Sequence, residues 1–285
     1  MASYAGNDKA LIRNLVFIAL NGSSDADLKR AFAMCNVLVW MGDQLTAQRL
    51  RGVIDKRAGE FNGFDRLENL VPMFGWLHTR MATGNSLHKQ YLGKPADFGL
   101  LHAFTQLHRK HLTVPSTQGT FFHKLEDAFE STLDAYLLAN WLARAQGCLL
   151  QNLRDLPGDR LYALAEEILE QSASTRALID EAQLPSRRRD DVREKSIQMT
   201  RDLVDFVALD RAIQSGDVGM MKGFLPRLLY RFVGGGNSNY SQEVMEVLQG
   251  FCREWPPDLQ FACLCIYDTA LTRPAGNTSS TVRGS

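Results

Sequence analysis

The sequence predicts a mainly α protein with a small β component, in which helices pack around a two- or three-strand sheet. Three observations predict it. Beyond His78, apolar residues recur every three or four positions almost without a break, the period of an amphipathic helix. Only two short stretches, both upstream of that point, have the β-branched and aromatic character of strands. Hydrophobic residues make up 45% of 285 positions, with 9% aromatic and 22% charged, a composition that supports a sizeable core and argues against disorder.

The elements follow in order. Residues 1–10 are expected to be a flexible N-terminus, 11–256 a single mainly helical domain, and 257–285 a divergent, largely disordered tail ending in "RPAGNTSSTVRGS". Val37–Met41 is the first strand and stops at Gly42. Leu70–Trp76 is the second, and its Pro72 and Gly75 mark it as an edge or irregular strand because proline cannot donate to the ladder. Between them Thr46–Gly59 reads as a helix with Leu50, Val53 and Ile54 inside. Gly99–His111 presents Leu100, Leu101, Phe104 and Leu107 at helical spacing, and Thr113–Gly119 is a turn. The clearest helix is Thr120–Ala143, with Phe121, Leu125, Phe129, Leu133 and Trp141 on one face.

Asp159 is placed as the N-cap of the next helix. A charged connector, "LPSRRRDD", leads into a helix from about Asp191 to Gln214. "SGDVG" then starts a helix that Pro226 should kink. Gly234–Tyr240 is a flexible hinge or a backbone-only binding loop, and the helix of "SQEVMEVLQGFCREW" comes after it.

Charge and cysteine use narrow the function classes. Lysine plus arginine and aspartate plus glutamate both number 32, so no global field draws the chain to nucleic acid or an anionic membrane, and any such contact needs a local patch. Five scattered cysteines without a CxxC point to a reducing compartment and buried thiols. No apolar run approaches the ~20 residues of a membrane helix. The expectation is an intracellular protein of nucleus or cytoplasm with no membrane partner.

Several residues are candidates for chemistry. Asp43 ends the first strand, where a carboxylate either holds a metal at the sheet edge or caps the following helix. The six histidines all lie between residues 78 and 123, and His78 is the best placed because it follows the second strand near the expected position of Asp43. Arg109 and Lys110 in "HRKH" and Arg187, Arg188 and Arg189 in "SRRR" are local basic patches. They read either as phosphate contacts or as solvated loops with internal ion pairs.

Six motifs occur in a specific order: "GDQLT", "GWLHTRMA", "GLLHAFTQLHRKHL", "GTFFHKLEDAF", "GDVGMMKGFLPRLLYRF" and "GGGNSNYSQEVMEVL". From Leu15 to Trp255 the chain resembles an uncharacterised, mostly fungal family, a domain of unknown function found in transposon-like genes. That family is similar to transposases with a ribonuclease-H-type fold, which implies a truncated remnant of such a sheet. It also implies three carboxylates around two Mg²⁺ or Mn²⁺ ions. On this resemblance Asp43 is the second acid and Glu243 the third, although a glutamate in a first helical turn also serves simply as a complement to the helix dipole. The first acid would have to come from Asp8, Asp25 or Asp27, none of which follows a convincing strand. The reading is therefore a transposon-derived domain of unknown activity, catalytically incomplete, with weak nucleic-acid contact, DNA being the partner in view, and no cofactor. The alternatives are an active two-metal phosphodiesterase or transposase centre using Mg²⁺ or Mn²⁺, and a helical protein–protein scaffold.

Overall fold

The computed structural model describes residues 25–94, 98–109, 112, 121–144 and 150–272. The fold is mainly α with one small sheet. The elements are α1 (Ala26–Cys35), β1 (Leu38–Gly42), α2 (Gln44–Lys56), β2 (Leu70–Phe74), α3 (Trp76–Tyr91), α4 (Leu100–Gln106), α5 (Phe121–Arg144), α6 (Gly158–Ser172), α7 (Thr175–Ala182), α8 (Asp191–Ser215), α9 (Val218–Gly234), α10 (Ser238–Gln249) and α11 (Pro257–Thr272). A 3₁₀ segment at Leu150–Asp155 precedes α6, and a π turn at Gly250–Glu254 ends α10. Two compact units are distinguished: Met1–Thr79 with Ala212–Ser285, and Arg80–Arg211.

The first unit is built on a βαβ motif. β1 and β2 pair in parallel, with Leu38 opposite Leu70 and Gly42 opposite Phe74. A parallel pair needs a long crossover, and α2 with the turns that follow it supplies one. Leu50 and Val53 of α2 pack with Leu67 and Leu70, and Leu38, Trp40 and Ile54 close the cluster. Pro72 is tolerated in mid-strand because a two-stranded sheet has only edges. Trp76 does not extend β2. It opens α3, and its ring joins Phe74 and Tyr267 with centroids 5.5 Å away in each case.

The remainder of this unit is helical. α9 buries Met221, Phe224, Leu225, Leu228 and Phe232, and runs through Pro226. α10 buries Val244 and Val247. Residues 257–272, assigned to a disordered tail by the sequence, form α11, with Cys263 and Tyr267 fully buried. The spacing Cys263–Tyr267 is one helical turn, a signal masked by the Pro256-Pro257 pair, which starts the helix rather than ending the fold. α1 is another element that the strand-and-helix reading leaves out. Asp25 caps it, accepting from Asp27 N at 2.8 Å and Leu28 N at 3.3 Å.

The second unit has its own core, in which Leu87, Leu100, Phe104, Leu125, Phe129, Leu203 and Phe206 are buried together. Phe129 meets Phe206 edge to face at 5.3 Å. α4 stops at Gln106, short of the His111 expected, because His108 takes a left-handed conformation with φ 57°. α6 begins at Gly158, so Asp159 is a first-turn acid and not the cap. The turn predicted at Thr113–Gly119, residues 1–10 and the tail from Arg273 lie outside the described residues.

Candidate functional site

Parallel strands send their carboxyl ends to the same edge of a sheet, and in open α/β sheets that edge is where ligands bind. Here it carries Asp43 directly after β1, and Gly75, Trp76 and His78 directly after β2. Gly75 N–H donates to the Gly42 carbonyl at 2.6 Å, which draws the two turns together.

Asp43 is the N-cap of α2: its Oδ1 accepts from Thr46 N–H at 2.7 Å. The Thr46 hydroxyl and N–H hold its carboxyl below the ordinary range, with the charges of His78 and Arg49 adding to the effect. His78 lies in the first turn of α3 and is exposed. Tyr240, in the first turn of α10, donates its hydroxyl to the His78 carbonyl at 3.3 Å. Burial raises the Tyr240 phenol, and the Asp43 charge raises it further. Asp43, His78 and Tyr240 thus share the edge, and the loop Gly235–Asn237 delivers the tyrosine to it.

Glu243 is on the same helix as Tyr240, but its carboxylate faces inward and is 1% exposed. It forms an ion pair with Arg51 Nη1 of α2. Arg51 Nη2 donates to the Pro72 carbonyl of β2 at 3.1 Å, and Arg51 Nε lies 3.9 Å from Glu246. One guanidinium therefore ties α2, β2 and α10 together. Burial pushes the Glu243 carboxyl upward and the Arg51 charge opposes it. Dipole complementarity misses this role. The signal was present in the spacing: Tyr240, Glu243, Val244 and Val247 form one helical stripe, and an acid inside an apolar stripe needs a buried cation.

Beside this pair lies a buried polar and aromatic cluster that sequence reasoning did not single out. Tyr267 is 2% exposed and its hydroxyl is pushed well above the usual range, chiefly by burial and then by the neighbouring Cys263. The Cys263 thiol is itself pushed up to about 11 by burial, which makes it an inert thiol.

The fit to a metal centre can be judged from the donors. Asp43 is engaged in a cap and Glu243 in an ion pair. Of the upstream acids, Asp25 caps a helix and Asp27 lies in that helix's first turn; Asp8 lies outside the described residues. Among the described residues there is no group of three His, Cys, Asp or Glu side chains that could hold a metal ion. Among the described residues the carboxylates do not converge as a two-metal site of Mg²⁺ or Mn²⁺ requires.

The basic patches belong to the second unit. Arg109 pairs with Asp127 at 2.5 Å, and Lys110 lies outside the described residues. Arg189 donates to the Ala182 carbonyl, while Arg187 and Arg188 are exposed in the turn between α7 and α8. The acids near this turn are used otherwise than expected. Asp190 accepts from Val192 N at 2.9 Å and Arg193 N at 3.1 Å, and Glu181 holds Arg193 at 3.1 Å. Of the clustered histidines, His88 is fully buried, its Nε2–H donating to the Leu112 carbonyl at 2.6 Å, and burial lowers its pKa.

The chain belongs to a family of unknown function, DUF6589, whose model matches residues 1–279. The match continues past Trp255, so the segment that the sequence reading sets apart as divergent is part of the family region. No curated protein and no solved structure matches.

Proposed function

We propose that this member of the family is a transposon-derived domain that is incomplete as a two-metal nuclease and acts through binding, with nucleic-acid backbone contacted at the exposed Arg187–Arg188 turn. The observation that carries the first half is the enclosure of Glu243. A carboxylate that is 1% exposed and paired with Arg51 has its charge already neutralised, and a divalent cation would have to displace a guanidinium to reach it. Asp43, engaged with Thr46 at the start of α2, supplies a single remaining carboxylate, too few for a hard cation. For the second half, the support is that Arg187 and Arg188 lie exposed and adjacent in sequence, that the Asp190 carboxylate after them is taken up by Val192 N and Arg193 N, and that the motif resemblance gives a DNA-linked context. A nuclear or cytoplasmic location goes with this reading.

Two measurements test it. Calorimetry with Mg²⁺ and Mn²⁺ on wild type and Asp43→Asn is expected to show no micromolar site in either; a wild-type site abolished by the substitution would restore the nuclease reading. DNA retention by wild type is expected to fall steeply with salt, and Arg187→Ala/Arg188→Ala is expected to lower the log–log slope by roughly 0.9 per lost phosphate contact. Absent or salt-insensitive retention removes the nucleic-acid half.

A second reading, a protein–protein scaffold, is favoured by the exposed Leu138 and Leu142 of α5 and Tyr162 and Leu169 of α6. Monomer–dimer behaviour unchanged by Leu142→Asp and Tyr162→Asp, together with salt-sensitive DNA retention, would exclude self-association through these side chains.

A further inference from the structure

The core of the first unit contains two polar side-chain atoms that the chain itself does not satisfy. Trp76, which opens α3 after β2, is 3% exposed, and Tyr267 of α11 is 2% exposed. Among the described residues, neither the Trp76 Nε1–H nor the Tyr267 hydroxyl has a hydrogen-bond partner. The two fall at one place. Their rings meet edge to face with centroids 5.5 Å apart, and Phe74 lies 5.5 Å from Trp76 and 6.4 Å from Tyr267. A folded core rarely leaves one such group bare, because its hydration is lost with nothing in return. Two at a single contact point to a guest that serves both.

The groups and their surroundings narrow the guest. An indole N–H donates and cannot accept, so it calls for an oxygen lone pair and rules out a cation. Burial holds the Tyr267 hydroxyl well above the usual range, so it keeps a proton to give and a lone pair to receive one. Arg51 and Glu243 act on Tyr267 in opposite directions. They already neutralise each other as a pair, so a guest of either charge would stand uncompensated in the interior. Three rings packed together leave room for little. The guest is neutral, both accepts and donates, and is small. Water meets all three conditions.

We propose that the Trp76–Tyr267 contact encloses an ordered water molecule, which accepts from Trp76 Nε1–H and hydrogen-bonds to the Tyr267 hydroxyl, fastening α11 to the junction of β2 and α3. A water held between buried polar groups is part of the fold and costly to remove. It also accounts for the residue type at position 267. Phenylalanine would fill the same core without burying a hydroxyl, so tyrosine is a cost there unless its oxygen is used.

The test compares the full chain with Tyr267→Phe. If the hydroxyl holds a water, the substitution removes a hydrogen bond and leaves the shared water short of a partner, and the variant is expected to melt about 2–4 °C lower. If the hydroxyl is bare, its removal relieves a desolvated group. The variant would then melt at the wild-type temperature or higher, which overturns the proposal. A crystal structure of the wild-type chain gives the direct reading and carries the test if Tyr267→Phe does not fold. A single oxygen within about 3.2 Å of both Trp76 Nε1 and the Tyr267 oxygen is expected. Absence of that oxygen, or density for a larger molecule in its place, overturns the proposal whatever the melting temperatures show.

Discussion

Arg51 and Glu243, 192 positions apart in sequence, meet inside the protein as a direct ion pair. Removing one partner of such a pair leaves the other charge uncompensated. Glu243→Gln is expected to cost about 3 kcal/mol in urea denaturation, the lower end of the range because Glu246 stays within reach of Arg51. The double change Arg51→Met with Glu243→Leu is expected to recover most of that loss, since a well-packed apolar pair replaces a desolvated ionic one at little net cost. Additive losses in the double variant would show that the pair is not coupled in this way.

Asp43 should behave as a cap and not as a ligand. Asp43→Ala is expected to lower stability by about 1 kcal/mol, and Asp43→Asn by much less, because asparagine caps nearly as well. Its carboxyl is held below the ordinary 3.8 in the folded state, so its contribution is full above that value and is lost as pH falls through the lowered one. An acid titration in which wild type and Asp43→Ala converge below that window checks the sign.

The π turn after α10 depends on a missing side chain. A Cβ on Gly250 would collide with the Trp255 indole, which itself packs edge to face on Phe251 at 5.0 Å. Lys222 Nζ lies over that Phe251 ring at 4.5 Å. Gly250→Ala is expected to cost about 1–3 kcal/mol through overpacking. A wild-type Tm for this variant would mean that Trp255 moves freely.

His88 gives the fold a pH response of its own. Burial lowers its pKa below the ordinary 6.5, so the unfolded chain takes up a proton that the folded one refuses. Its contribution to stability therefore falls as pH drops below about 6.5. His88→Gln, which keeps a donor for the Leu112 carbonyl, is expected to melt lower at neutral pH but to lose less between pH 7 and pH 5.5. An unchanged slope would show that the fold does not lower the His88 pKa.

Periodicity made the helices legible because each buries a stripe that recurs in the sequence, as Leu125, Phe129 and Leu133 do in α5. The two strands were legible for a similar reason: Gly42 and Gly75 close them, and proline is permitted in a sheet that consists of edges. The local role of Asp43 could also be read, since a cap needs only the next three residues. The partner of Glu243 could not. Glu243 lies in the second turn of α10, not the first, and its place in the apolar stripe calls for a cation without saying which one; Arg51 lies beside the inner face of α2, next to Leu50. The limits of α4 and α6 depended on single backbone choices, at His108 and Pro157, that composition does not dictate.

The first unit draws on both ends of the described chain, whereas residues 80–211 form the other unit without interruption. During synthesis the intervening segment leaves the ribosome whole and is free to condense, while β1, α2 and β2 wait for the helix bearing Glu243. Until that helix emerges, the Arg51 side chain has no carboxylate from α10 to meet. This interval is where chaperone dependence and protease sensitivity of the nascent chain should be greatest.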